Sequence, residues 1–239
     1  MQSEKSMMQR WNPDALRFMS DASEYGSYPR DLANELLPYL PRDGHICDAG
    51  CGLGYLAQEL SNYCKTVTAI DRAVAPIEAF QKRFAKENLF VSCGDIITIQ
   101  TQFDAMVFCY FGKTEEILAL SERLCKGNVL VVKRDCSAHT FSLGKIDRKR
   151  HSVDSLVSEL HKRHIPYETK PLSIELGQPF RSLNDAMVFY RLYNKSDRAV
   201  EESDVRSRLI ETYDPMFPFY LPSVRHMELI VFDANTLRG

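Results

Sequence analysis

The residues with the clearest chemical potential stand together in the stretch His45–Leu60, HICDAGCGLGYLAQEL: Asp48, then Gly50, Gly52 and Gly54. An apolar run ends on the aspartate, glycines fill alternate positions, and an amphipathic segment follows. Glycine takes positive-φ turns and lets another group touch the main chain, while a helix starting there would add free N–H groups and a positive dipole end. The pattern reads as the first strand–turn–helix unit of a nucleotide-type site, with a polar or anionic ligand group at the turn. Asp71 ends the next apolar run, TVTAID, where a carboxylate can accept both hydroxyls of a ribose. Two charge-assisted bonds of about 1.5–3 kcal/mol each would make that a firm anchor. After the third run, Cys93-Gly94-Asp95-Ile96 offers a carboxylate to an adenine amino group and an isoleucine to its ring.

Positioning these groups requires alternating strands and helices, and the chain has that pattern from residue 45 onward. HICDA, TVTAID, LFVSCGD, FDAMVFCYF and NVLVVKR read as strands with continuous apolar character. Between them, YLAQELSNYC is a helix with Leu56, Leu60 and Tyr63 on one face, PIEAFQKRFAKE a helix opened by Pro76, and residues 114 to 124 another. HSVDSLVSELHKRHI adds a fifth helix, YETKPLSIEL a sixth strand and FYLPSVRHMELIVFDA a last one. Such strands belong to a parallel sheet covered on both faces, so the class is α/β, doubly wound. One domain is expected: an N-terminal helical cap over residues 1–40, a cofactor-binding core over 41–176, a helical lid over 177–218 and the final strand over 219–239.

Composition narrows the partners. The 239 residues are 44% hydrophobic and 26% charged, with a formal net charge of −2, so nothing overall calls for nucleic acid or an anionic membrane. KIDRKRH, residues 145–151, is the basic cluster, and phosphate contact there would make binding steeply salt-dependent. The first residues lack a signal-peptide apolar stretch and no window is long and apolar enough to span a membrane, which leads to the expectation of a cytoplasmic protein. All seven cysteines lie between Cys47 and Cys136 without a Cys-x-x-Cys pair, so neither a disulfide framework nor a metal site is expected.

Spacing discriminates between adenosine cofactors. Nicotinamide sites favour G-x-G-x-x-G, but the position of the third glycine is Tyr55 here, and a pyrophosphate signature is missing. DAGCGLG resembles motif I of the class I, Rossmann-like methyltransferases that use S-adenosylmethionine, AID the acidic end of their second strand, CGDI their adenine-side motif and FDAMVFCYF their fourth strand. The resemblance runs over about residues 45 to 133. It implies a mostly parallel seven-stranded sheet with an antiparallel last strand. By position it gives the amino-acid end of the cofactor to Asp48, Gly50, Cys51, Gly52 and Gly54, the ribose to Asp71 with Arg72 beside it, the adenine to Asp95 and Ile96, and the methyl side to Cys109.

A sulfonium methyl is already activated, so placing a nucleophile behind it is much of the catalysis, worth roughly 7–11 kcal/mol when done well. Candidates facing the methyl are Cys109, Tyr110 and Phe111 after strand four. The family's amino methyltransferases of nucleic acid carry an Asn/Asp-Pro-Pro-aromatic motif there and the cytosine-C5 type a Pro-Cys; FCYFG has neither. If the last strand is antiparallel, its start brings Tyr220, Arg225 and His226 to the same edge, and His226 competes with His139 as general base. Tyr110, His139 and His226 are therefore the catalytic candidates, and Tyr28, Arg181, Tyr220 and Arg225 the substrate candidates, with Trp11 and Tyr25 closing the other side. A lid of this size favours an enclosed small-molecule acceptor, methylated on oxygen or nitrogen. A cofactor-binding module without catalysis and an RNA methyltransferase are the competing readings, and oligomeric state is left open.

Overall fold

The computed structural model describes residues 11–134, 141–144 and 153–238. Strands β1 (His45–Ala49), β2 (Thr66–Asp71), β3 (Leu89–Cys93), β4 (Ala105–Cys109), β5 (Asn128–Arg134), β6 (Tyr167–Glu175) and β10 (Val224–Asp233) form a seven-stranded sheet in the order β3-β2-β1-β4-β5-β10-β6. β1 pairs in parallel with β2 and β4, whereas β10 runs antiparallel to both β5 and β6. The doubly wound sheet and reversed last strand match expectation, and the order switches direction beside β1, which opens a crevice at its carboxyl end.

The apolar runs alternate between two cores. Ile46, Val67, Val107, Leu130 and Leu229 point to a layer built from α2 (Tyr28–Leu36), α3 (Tyr55–Leu60) and α4 (Val74–Arg83). Cys47, Ile70, Phe108, Val131 and Ile230 point to the opposite layer of α5 (Thr114–Leu124) and α6 (Val153–Lys162). Helix boundaries moved where local signals were weak. α3 stops at Leu60, so Tyr63 lies outside the helix and is 43% exposed instead of sharing the face of Leu56 and Leu60. α4 begins at Val74, ahead of Pro76, because a proline is tolerated anywhere in a first turn, where no N–H is required.

Ahead of the sheet, α1 (Pro13–Tyr25) starts on Asn12, whose Oδ1 accepts the Ala15 N–H at 2.9 Å, with Pro13 at the first helical position. The lid differs from the all-helical expectation. Beside α7 (Leu183–Tyr193) and the short α8 (Glu202–Arg206) it contains a small antiparallel sheet of β7 (Gln178–Phe180), β8 (Ile210–Glu211) and β9 (Phe219–Leu221). Pro222 lies between β9 and β10, so the run that begins at Phe219 is two strands in two different sheets.

Cap and lid are one packed body. Phe18 of α1 lies edge-on to Phe180 and Phe189, with centroids 6.1 and 5.0 Å away, and Phe189 also meets Phe141 and Tyr193. Around this apolar centre, Arg17 makes a two-pronged ion pair with Asp185 at 2.6 and 3.2 Å, and Arg181 binds Asp21 at 2.7 Å. Phe189 is 2% exposed at the middle of the cluster. Phe189→Ala is expected to cost about 3–5 kcal/mol in chemical denaturation, since neighbouring rings anchored on separate elements cannot close the cavity.

Candidate active site

The glycine turn is shaped first by the protein's own aromatics. Gly50, Gly52 and Gly54 all have positive φ, at 73, 53 and 76°. A Cβ on Gly50 would lie 2.2 Å from the Phe111 ring, and one on Gly54 would lie 2.0 Å from the Phe80 ring. These two positions exclude side chains because rings from β4's end and from α4 rest on the main chain. Gly52 is looser, with the Trp11 ring 3.3 Å from the corresponding point. The turn's amides are also engaged: Gly50 and Cys51 donate to the Ile70 carbonyl, Gly54 to that of Cys51, and Gly52 to Asp71 Oδ2 at 3.0 Å. These four amides of the turn are therefore taken within the protein, and the helix α3 that follows is six residues long.

Two carboxylates flank this turn. Asp48, at the penultimate position of the central strand, is 1% exposed; the Ala57 N–H donates to its carboxylate, while Oδ2 has no hydrogen-bond partner. Burial, and then the negative charge of Asp71, push the Asp48 carboxyl up to about 7. Asp71 is held by two backbone amides, Gly52 on Oδ2 and Ala73 on Oδ1 at 2.8 Å. Each carboxylate oxygen keeps a second lone pair for a ligand hydroxyl. Beyond Asp71 opens a pocket lined by Ile70, Asp71, Arg72, Gly94, Asp95, Ile96, Phe111 and Glu116. Asp95 caps the short turn that follows by accepting the Ile97 N–H at 3.0 Å, and Ile96 is 3% exposed. Asp71, Arg72, Asp95 and Ile96 thus share one pocket; Glu116 was not foreseen there, since α5 gives no sequence signal for it.

The second cluster gathers where β4, β5 and β10 meet. Tyr110 follows β4 with φ 55°, an uncommon conformation for an aromatic residue, which turns its ring back over the sheet edge. Its hydroxyl lies 2.9 Å from that of Tyr28, and both reach the sulfur of Met227. Met227 pairs with Arg134 across β10 and β5. Two residues earlier on the same strand face is Arg225, 9% exposed, with its guanidinium 4.7 Å from the Phe141 ring centroid. Burial raises the Cys109 thiol and, to about 12, the Tyr110 hydroxyl, so both keep their protons at neutral pH.

Other candidates lie apart from these clusters. His226 alternates to the opposite face of β10, where it is exposed and meets Ser173 Oγ at 3.0 Å. Tyr220 belongs to β9 and donates to Glu175, with its ring against Gly177. Arg181 is bound up in the cap–lid ion pairs, and the Tyr25 ring packs on Phe217 and Tyr220. His139, Cys136 and the basic run 145–151 lie outside the described residues. Among the described residues the cysteines are free, no group of three or more His, Cys, Asp or Glu could hold a metal, and no helix is long and apolar enough to cross a membrane.

Comparison with known proteins agrees with this arrangement. Residues 46–128 match the methyltransferase domain family. Malonyl-[acyl-carrier protein] O-methyltransferase of Priestia megaterium is 30% identical over 106 residues, 38% of each chain, so the chain spans well under half the length of that relative. Carboxy-S-adenosyl-L-methionine synthase of Shewanella woodyi is 26% identical over 184 residues, 68% of this chain and 69% of that one. A crystal structure of a candidate methyltransferase from Bacillus halodurans superposes with a TM-score of 0.54 at 11% identity, covering 87% of this chain and 99% of the other, a likeness of fold. The glycine turn and Asp48, Asp71 and Asp95 lie inside the segment that is similar to the methyltransferase domain family, and the reversed last strand completes the sheet.

Proposed function

We propose that the protein transfers the methyl group of S-adenosylmethionine to an oxygen or nitrogen of a small-molecule acceptor, chiefly by in-line positioning. The cofactor supplies a methyl group on a sulfonium, already activated toward a nucleophile. The observation that carries this reading is the buried Asp48 carboxylate with an unsatisfied Oδ2, a group that an ammonium would complete. In this reading Asp48, beside the backbone of Gly50, Cys51, Gly52 and Gly54, takes the amino-acid end. Asp71 accepts the ribose hydroxyls on its spare lone pairs, with Arg72 flanking it. Asp95 and Ile96 hold the adenine. Cys109 and Tyr110 border the methyl side, and Tyr28 fixes the Tyr110 hydroxyl. The curated O-methyltransferase relative supports oxygen as the receiving atom.

Two outcomes test the cofactor assignment. Asp71→Ala should weaken S-adenosylhomocysteine binding by about tenfold to a thousandfold in calorimetry, from the loss of about 2–4 kcal/mol, and unchanged affinity would remove Asp71 from the ribose. For Asp48 the prediction concerns pH. Its folded carboxyl titrates near 7 against an ordinary 3.8, so the folded ligand-free protein binds this proton more tightly than the unfolded chain does. Stability is therefore greatest below 3.8 in this respect and declines as pH rises toward 7, by about 4 kcal/mol in total. Asp48→Asn, which cannot ionise, should melt several degrees above the parent at pH 8, with the advantage shrinking toward pH 5, while binding the cofactor product poorly. Equal melting temperatures across that range would contradict the assignment.

A further inference from the structure

We propose that the acceptor is held by a carboxylate seated against Arg225 beside Tyr28 and Tyr110, and that an oxygen of this carboxylate receives the methyl group, giving a methyl ester. The proposal rests on the methyl-transfer reading and names its substrate class.

Arg225 carries the argument. It is 9% exposed, yet its Nη1 has no hydrogen-bond partner. Its surroundings add positive charge: Arg134 lies close enough that, after burial itself, its like charge helps lower Arg225 to about 10. Among the described residues the other groups acting on it are the Tyr110 and Tyr28 hydroxyls, and no carboxylate is among them. A buried guanidinium without an anion is a liability for folding, whereas a planar fork of donors fits a carboxylate closely. Elsewhere the partly buried Arg17 is paired with a carboxylate, that of Asp185. The Phe141 ring covers one face of the Arg225 guanidinium and leaves its edge for hydrogen bonding.

Place and chemistry agree. Met227, two residues along the same face, takes the Tyr28 and Tyr110 hydroxyls, and Tyr110 directly follows Cys109 at the end of β4. Arg225 therefore adjoins the edge where the methyl side was assigned, beneath the cap–lid body. No described residue there is suited to take a proton, because both tyrosine hydroxyls are raised and His226 faces away. A carboxylate requires no base, since it is ionised at neutral pH. One of its oxygens forms the new O–CH3 bond as the methyl–sulfur bond breaks, the electron pair of that bond stays on sulfur, and no proton moves. An anion and a sulfonium become two neutral groups, which favours a site shielded from water.

The test uses methyl-labelled S-adenosylmethionine with glutarate, adipate, octanoate and benzoate, beside the matching alcohols and amines. Alkali releases methanol from methyl esters and leaves ethers and methylamines intact. Alkali-labile label on one or more acids is expected, falling about a hundredfold or more in Arg225→Met and partly restored in Arg225→Lys. Label confined to alcohols or amines, or none on any acid while S-adenosylhomocysteine still binds, overturns the carboxylate assignment and leaves the methyl-transfer reading in place. Failure to bind S-adenosylhomocysteine overturns that reading instead. A second readout needs no acceptor: Arg225→Met should melt at or above the parent temperature, because an uncompensated buried charge has been removed. A fall of more than about 5 °C would show that Arg225 serves the fold and would overturn the proposal.

Discussion

A carboxylate buried at the end of the central strand with one of its oxygens unsatisfied is the constraint on which this structure turns. Asp48 lies between β2 and β4, and its strand's apolar neighbours are covered on both faces, so no water shell softens its charge. The Ala57 amide, in the first turn of α3, is the partner the fold provides. The neighbouring Asp71 makes ionisation harder still, and a fold under no other demand would place an apolar residue here. The glycine turn follows from the same demand. It brings the chain off β1 in a tight bend, and Phe111 and Phe80 brace it from either side.

The acceptor side shows the mirror image, a buried cation beside hydroxyls that retain their protons. Asp48 and Arg225 are of opposite sign, Asp48 acting on Cys109 and Arg225 on Tyr28 and Tyr110. A ligand pair consisting of an amino-acid-bearing sulfonium and a carboxylate would satisfy both charges. The cap and lid segments are held to each other by the Phe18–Phe189 cluster and the Arg17–Asp185 pair.

Much of this was legible in the sequence because the strands of the main sheet are continuous apolar runs and the glycine turn is a local signal. The motif residues Asp48, Asp71 and Asp95 sit at strand ends for the same local reason. What the glycines face was not legible, since Phe111 and Phe80 reach the turn through tertiary packing from other elements. The lid sheet was missed because two- and three-residue strands are too short to show alternation. Arg225 and His226 were read together, though adjacent strand residues must point to opposite faces; only the register of β10 against β5 and β6 says which one turns inward.

The most direct test of the central claim is the proton balance of cofactor binding. S-adenosylhomocysteine is titrated into the protein at pH 7 in two buffers of different ionisation enthalpy. If its ammonium completes the buried Asp48 carboxylate, roughly half a proton is released per molecule bound, because a carboxyl titrating near 7 is about half protonated before the ligand arrives. Binding heats that are the same in both buffers, and so show no proton release, would contradict the account.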